Sequence, residues 1–139
     1  MEEAIAELRK LNESVPRPLP LPSNRDVEEV ELGLGVTFPP EYRAYLLNAS
    51  DVVLGTLEPA TITEPESHTH LPEVVATARD FGIPTRLIPF CEDNSDFYCL
   101  TPTGEVVFWS HNGLKEESWP SLAAWIFQVW IGEHPNKLL

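Results

Sequence analysis

The residues LGLGVTFPPEYRAYLLN, from Leu32 to Asn48, decide how the first half of this chain folds. Gly33 and Gly35 predict the end of one helix, because glycine adopts the left-handed conformation of a helix C-cap at little steric cost. Pro39 and Pro40 then predict the first turn of a second helix, where a fixed φ and a missing N–H are tolerated. The motif therefore predicts two packed helices joined by a short connection.

Two segments precede this motif. Residues 1–13 place apolar side chains at helical spacing, with acidic residues early and basic residues late, and predict a short surface helix. Residues 15–22, VPRPLPLP, repeat proline, which fixes φ and removes backbone donors, so they predict an extended, polyproline-like strap. The strap is either a docking peptide for a proline-binding module or a stiff connector, and we favour the connector because PxxP matches are common by chance.

Ser23 and Asp26 predict a capping box at the next helix.

The rest of the chain predicts short strands and two further helices. A polar loop is expected over 65–71, and a type I turn, Thr101-Pro102-Thr103-Gly104, predicts an antiparallel hairpin. The expected strands are 51–63 (short strands), 87–91, 97–101 and 105–110, and the expected helices are 72–81 and a Trp-rich helix over 122–130. This order predicts one α+β domain over residues 1–139, a sandwich of helices against a mainly antiparallel sheet.

Two blocks carry a family resemblance. Phe38-Pro39 followed by Glu41-Tyr42-Arg43, Tyr45, Leu46 and Leu47 resembles the opening of the SUKH superfamily (SMI/KNR-like). The block IPFCEDNSDFYCLTPTGEVVFWSHNG, residues 88–113, looks like the central hairpin of that family, ending in an aromatic-x-His-Asn-Gly turn. The resemblance covers roughly residues 23–132. The chain departs from it at Asn48-Ala49-Ser50, where many members have Asn-Gly, and in its proline strap.

The resemblance implies a function as well as a SUKH-like fold. SUKH proteins in bacteria are often immunity proteins, which bind a cognate polymorphic toxin and block its active site. Many such toxins are nucleases or other nucleic-acid-modifying enzymes with basic surfaces. The resemblance therefore implies a non-enzymatic, toxin-neutralising binder. The alternative is a scaffold or regulatory protein-binding module of the same fold, without a toxin partner.

The charge of the chain narrows the class of partner. Its formal net charge is −13, from 22 Asp and Glu against 9 Lys and Arg. Such a charge opposes binding to phosphate backbones and anionic membranes, which requires clustered cations. It favours a basic protein partner, whose complementary potential raises the encounter rate. The simpler interpretation is that the charge only keeps the protein soluble.

No segment of the sequence has the form of a targeting signal or a membrane span. The start, MEEAIAELRKLNE, lacks a cationic region followed by an apolar run, and no stretch reaches the ~18 apolar residues that a span requires. We therefore expect a cytoplasmic protein. Cys91 and Cys99 are expected to be reduced thiols in the core, because two cysteines alone make a weak disulfide framework.

Three groups of residues invite a chemical interpretation. The first is a thiol nucleophile, with Cys99, His111 and an orienting Asp96. Carboxylates near Cys99 would raise its pKa, however, and its strand position favours a core role. Since no G-x-S-x-G or glycine-rich phosphate loop accompanies it, we expect no enzyme and no cofactor.

The second group is His68-x-His70, preceded by Glu64 and Glu66. It resembles a metal site superficially, but a third ligand and a second shell would have to come from elsewhere. We expect a solvated loop and no bound metal.

The third group is the acidic run Glu92-Asp93-Asn94-Ser95-Asp96, between two predicted strands. Asp and Asn are common in turns because they bond to their own backbone. The carboxylates could also bind a cation, although the run lacks the glycine and terminal glutamate of a calcium loop. A third interpretation is an anionic patch for Arg and Lys of a partner. The predicted partner site is therefore Glu92, Asp93 and Asp96, with Glu64 and Glu66 as neighbours.

The sequence also predicts a core and one uncovered face. The residues expected to be largely buried are Tyr45, Leu46, Phe90, Phe108, Trp109, Trp125 and Ile126. Phe127 and Ile131 point away from the apolar stripe of the last helix. Either the C-terminal tail covers this second face or another chain does, as in a homodimer through the C-terminal helix.

Overall fold

The computed structural model describes residues 1–132, and within them it has five helices and one five-stranded sheet. The helices are α1 (Glu2–Leu11), α2 (Asn24–Leu34), α3 (Pro40–Ala49), α4 (Leu71–Asp80) and α5 (Leu122–Trp125), and α5 continues as a π-helical segment over Ile126–Ile131. The strands are β1 (Glu58–Pro59), β2 (Ile88–Asp93), β3 (Asp96–Leu100), β4 (Val106–Ser110) and β5 (Gly113–Trp119). They pair in the order β1-β2-β3-β4-β5, each antiparallel to its neighbours. This architecture confirms the predicted α+β fold.

The connection between α2 and α3 forms as its glycine and prolines predict. Gly35 has a φ of 68° and caps α2, and the capping box of Ser23 and Asp26 is present at the other end. The Glu31 carboxylate accepts hydrogen bonds from the Phe38 amide at 2.7 Å and from Arg43 Nη2 at 2.5 Å. One carboxylate thus joins the end of α2, the loop and α3, with a charge-assisted bond among its contacts.

An aromatic cluster joins the helices to one face of the sheet. Phe90 of β2 packs edge-on against Trp125 at a centroid distance of 4.9 Å, and Tyr98 of β3 contacts the same indole at 5.2 Å. Tyr42 of α3 lies 5.9 Å from Phe90. These rings bury large areas in favourable geometries. We call this side of the sheet the inner face.

Helix α4 packs on the opposite side, which we call the outer face. Phe81, at the end of α4, lies 6.0 Å from the Phe97 ring. Arg79 donates to the Pro84 carbonyl at 2.8 Å and to the Leu87 carbonyl at 2.9 Å. The guanidinium thereby satisfies carbonyls of the connection between α4 and β2, and its partial burial lowers its pKa.

The predicted core is mostly correct. Tyr45, Leu46, Phe90, Trp125 and Ile126 are buried. Phe108 and Trp109 are less completely buried and pack against this core. Both lie on β4, one strand from the sheet edge, where the helices cover the sheet less completely.

Strand β5 is the one element that the sequence did not predict. Five of its seven residues are exposed, because its single neighbour is β4 and its own sequence, GLKEESW, is polar. An edge strand with so little burial lacks the alternation of apolar and polar residues by which a sequence predicts a strand. Conversely, residues 51–63 hold less strand than expected: the two residues of β1 and a parallel bridge between Thr61 and His70.

The segment after α1 lies against the chain that follows α3. The Glu13 amide donates to the Val53 carbonyl at 2.8 Å, and the Val53 amide donates to Asn12 Oδ1 at 2.8 Å. Residues 12–23 form neither helix nor strand. None of the helices within residues 1–132 is long and apolar enough to cross a bilayer.

The apolar residues of the last helix are partly covered. Phe127 stays 39% exposed, beside the first turn of α1, and Ile131 is half-buried. Helix α1 contacts the π-helical segment and so covers part of this second face. The tail that was expected to cover it, residues 133–139, lies outside the described residues.

Leu46 offers a direct test of the core. It is fully buried in α3, so Leu46→Ala should lower the free energy of unfolding by about 2–5 kcal/mol, through lost burial and a residual cavity. Leu32→Ala is the matched control, because Leu32 is 83% exposed and its truncation should change stability by less than about 0.5 kcal/mol. Urea titration of both variants measures the difference, and equal values would show that α3 is misplaced.

Candidate functional site

The acidic run between β2 and β3 is a tight hairpin. Asn94 and Ser95 have φ values of 53° and 70°, and only these two residues separate the strands. Positive φ at both central residues is the signature of a type I′ turn, which matches the twist of a hairpin. Glu92 and Asp93 therefore belong to β2, and Asp96 belongs to β3, so three carboxylates lie on strand ends and none in a loop.

The strand register divides these carboxylates between the two faces of the hairpin. Glu92 pairs with Phe97, and Asp93 pairs with Asp96. Directly opposed residues share a face, and neighbours along a strand point to opposite faces. Glu92 thus lies on the outer face with Phe97, whereas Asp93 and Asp96 lie on the other side. The predicted site is split.

A residue that the sequence did not single out stands beside Glu92. Glu58 of β1 is its cross-strand partner, so two carboxylates oppose each other on the outer face. Glu58 also contacts His68, with 2.6 Å between Oε2 and Nε2, and both side chains are largely exposed. The sequence signal for Glu58 was weak, because it is a single carboxylate between Leu57 and Pro59 in the stretch predicted to hold short strands.

The loop that carries Glu64 and Glu66 is closed at its base. The Thr61 amide donates to the Thr69 carbonyl at 2.8 Å, and the two threonine hydroxyls lie 3.0 Å apart in a buried position. Glu64 and Glu66 are exposed on this loop. His68, on the same loop, contacts Glu58 and so brings the loop to the β1 edge of the sheet. We call Glu58, Glu92 and this loop (residues 62–69) the acidic edge.

The Asp96 carboxylate is not free, because it has a structural role. Its Oδ1 accepts a hydrogen bond from the His111 amide at 3.1 Å and lies 3.5 Å from His111 Nδ1. These contacts tie the β2–β3 turn to the β4–β5 turn. The pairing of Asp96 with His111 that a thiol-nucleophile interpretation would require is therefore present, but it links the end of one hairpin to the turn of the next.

Cys99 does not complete a catalytic group with them. It pairs with Val107, four residues before His111, a separation of roughly 13 Å along an extended strand. Burial raises the pKa of Cys99 to about 12, and it also raises the pKa of Cys91 well above its ordinary value. Both thiols are free and buried, as the sequence predicted.

The histidine pair also separates. His68 is exposed and contacts Glu58, while His70 is half-buried at the start of α4. The expectation of a solvated loop holds for His68 and not for His70. Within residues 1–132, no three His, Cys, Asp or Glu side chains cluster as a metal site would require.

An open groove of about 560 Å³ lies where α2 meets α3. Its charged lining includes Glu31 and Arg43, which pair with each other. Leu32 and Glu28 stand on its rim. Because Glu31 and Arg43 satisfy each other while holding the two helices together, we assign them a structural role.

Comparison with known proteins places this fold in a family. The model of the SUKH_5 family, described as SMI1-KNR4 cell-wall, matches residues 1–131. A crystal structure of a protein from Pseudomonas syringae pv. tomato is 48% identical, covers 95% of this chain and 99% of its own, and superposes with a TM-score of 0.91. No curated protein sequence matches the chain significantly. The family match spans nearly the whole described chain, and the protein therefore belongs to the SUKH_5 family.

Proposed function

We propose that this protein is an immunity protein, which binds a cognate toxin with a basic surface and neutralises it without catalysis. The proposal rests on two pairs of carboxylates that oppose each other across neighbouring strands at one end of the sheet. Glu58 opposes Glu92, and Asp93 opposes Asp96. Like charges directly opposite each other weaken a sheet. His111 engages Asp96 and His68 contacts Glu58, but no Lys or Arg within residues 1–132 forms an ion pair with any of these four carboxylates.

A basic partner supplies such cations. Arg and Lys of the partner would form charge-assisted hydrogen bonds with Glu58 and Glu92 and would relieve their mutual repulsion. The net charge of −13 adds long-range attraction and raises the encounter rate. If the toxin acts on nucleic acid, carboxylates can occupy the subsites that otherwise hold phosphates.

A non-enzymatic role agrees with the state of the candidate nucleophile. With a pKa of about 12, Cys99 is a neutral thiol near pH 7, and a thiol is a poor nucleophile. Its nearest cation, Arg79, is engaged with backbone carbonyls. His111 is exposed at the far end of β4 and is positioned by Asp96.

A regulatory binding module remains the second candidate, because the family description refers to the cell wall. The two functions differ in their genetic setting. An immunity protein requires a toxin encoded beside it, whereas a regulatory module does not. Sequencing the genes that flank the coding region separates them.

The proposed function is tested by coexpression with the toxin encoded beside this chain. Growth should be restored by the wild-type protein, and equally by a Cys99→Ala/His111→Ala double variant. The backbone amide of His111 still binds Asp96 in that variant, so the turn persists. Circular dichroism verifies folding. Loss of protection by a folded double variant would replace the binder with an enzyme, and absence of protection by the wild type would reject immunity.

Charge reversal tests the acidic edge. Glu92→Lys should slow association with the toxin and weaken the salt dependence of the association rate. Attraction between exposed charges is screened over ~8 Å at physiological salt, so a rate that depends on such charges falls as salt rises. Glu28→Lys is the matched control, with the same charge change on exposed α2. Stopped-flow mixing across a salt series gives both rates.

The same variant has a second signature. Glu92→Lys removes the repulsion with Glu58, so its thermal stability should equal or exceed that of the wild type while its association slows. Equal association rates for Glu92→Lys and Glu28→Lys would show that only net charge matters and that the acidic edge is not the site.

A further inference from the structure

The outer face of the sheet continues from the acidic edge into an apolar row. Glu92 pairs with Phe97, Phe97 pairs with Trp109, and Trp109 pairs with Leu114. Since paired residues share a face, one line of side chains crosses from β1 to β5. In chain order across the sheet it reads Glu58, Glu92, Phe97, Trp109, Leu114.

The apolar part of this row runs from buried Phe97 to exposed Leu114. Leu114 is 49% exposed, Phe81 is 52% exposed beside Phe97, and Trp109 is half-buried. Phe97 itself is buried beneath them. We call Phe81, Trp109 and Leu114 the apolar platform. Two exposed apolar side chains beside a half-buried indole form an apolar patch, and such patches occur at interaction surfaces.

The platform and the acidic edge together describe their occupant. We propose that the outer face of the sheet binds a protein segment that seats one large apolar side chain on the apolar platform and directs Arg or Lys to Glu92 and Glu58. This inference rests on the proposed function and names the chemistry of the partner at the same site. Apolar anchors in the centre and charges at the rim are the usual anatomy of a specific interface.

Charge complementarity selects this occupant over a second copy of the chain. A second copy also carries a net charge of −13, so its approach to the acidic edge would be repelled. A cationic segment with an apolar side chain makes favourable contacts at both ends of the row. It satisfies the opposed carboxylates at β1 and β2, and it removes the platform from water at β4 and β5.

The sheet spacing sets the pattern that the partner must present. Neighbouring strands lie about 4.8 Å apart, so Glu92 and Trp109 are separated by two spacings, or about 10 Å. A segment crossing the strands in extended form covers about 3.3 Å per residue. The apolar anchor and the cation should therefore lie roughly three residues apart in the partner sequence.

The experiment selects ligands directly and does not require the toxin to be identified. Random linear peptides displayed on phage are panned against the full chain, and selected peptides are measured by titration calorimetry. The expected consensus is a large apolar residue with Arg or Lys about three positions away. Leu114→Glu should weaken binding of these peptides by about 10-fold or more.

Matched variants locate the binding surface. Leu32→Glu makes the same change at an 83% exposed leucine on α2, and Glu28→Lys matches Glu92→Lys in charge. Both controls should bind as the wild type does, while Leu114→Glu and Glu92→Lys should each lose affinity. No consensus, or equal effects of Leu114→Glu and Leu32→Glu, would overturn the inference. Protection in coexpression can succeed or fail independently, so the two results separate this surface from the immunity role.

Discussion

The packing of Trp125 holds this molecule together. Its indole packs edge-on against Phe90 of β2 and Tyr98 of β3, and it lies 6.3 Å from Trp130 of the following π-helical segment. Trp130 in turn donates a hydrogen bond to the Leu54 carbonyl at 2.9 Å, which anchors the chain after α3. Because these contacts close the inner face, the hydrophobic core depends little on packing against the outer face, apart from the contacts that α4 makes there. Among the described residues, no helix packs on the β4–β5 side of the outer face as α4 does on β2.

Features set by neighbouring residues were predictable from the sequence. The capping box at Ser23 and the left-handed cap at Gly35 depend on a few adjacent side chains, so local chemistry was enough to place them. The aromatic core was predictable where apolar residues at helical spacing indicated a buried face, as at Trp125 and Ile126. The order of these elements along the chain then predicted the α+β fold class.

Features set by strand register were not predictable. The acidic run looked like one patch, but pairing places Glu92 on one face and Asp93 with Asp96 on the other. Glu58 joins the site only because β1, a strand of two residues, aligns with the end of β2. Leu114 joins the apolar platform through an edge strand that has no apolar alternation of its own. In each case a residue distant in the chain determines the neighbour, and no local pattern carries that information.

Whether the outer face of the sheet binds the proposed partner is tested most directly by hydroxyl-radical footprinting of the chain in complex with its proposed cognate toxin. The method measures the solvent exposure of individual side chains, and the free protein offers good reporters on both sides. Phe81, Trp109 and Leu114 should lose reactivity in the complex, whereas Leu32 on α2 and Phe127 on the π-helical segment should keep it. Protection of Leu32 or Phe127, with the apolar platform still reactive, would contradict the account.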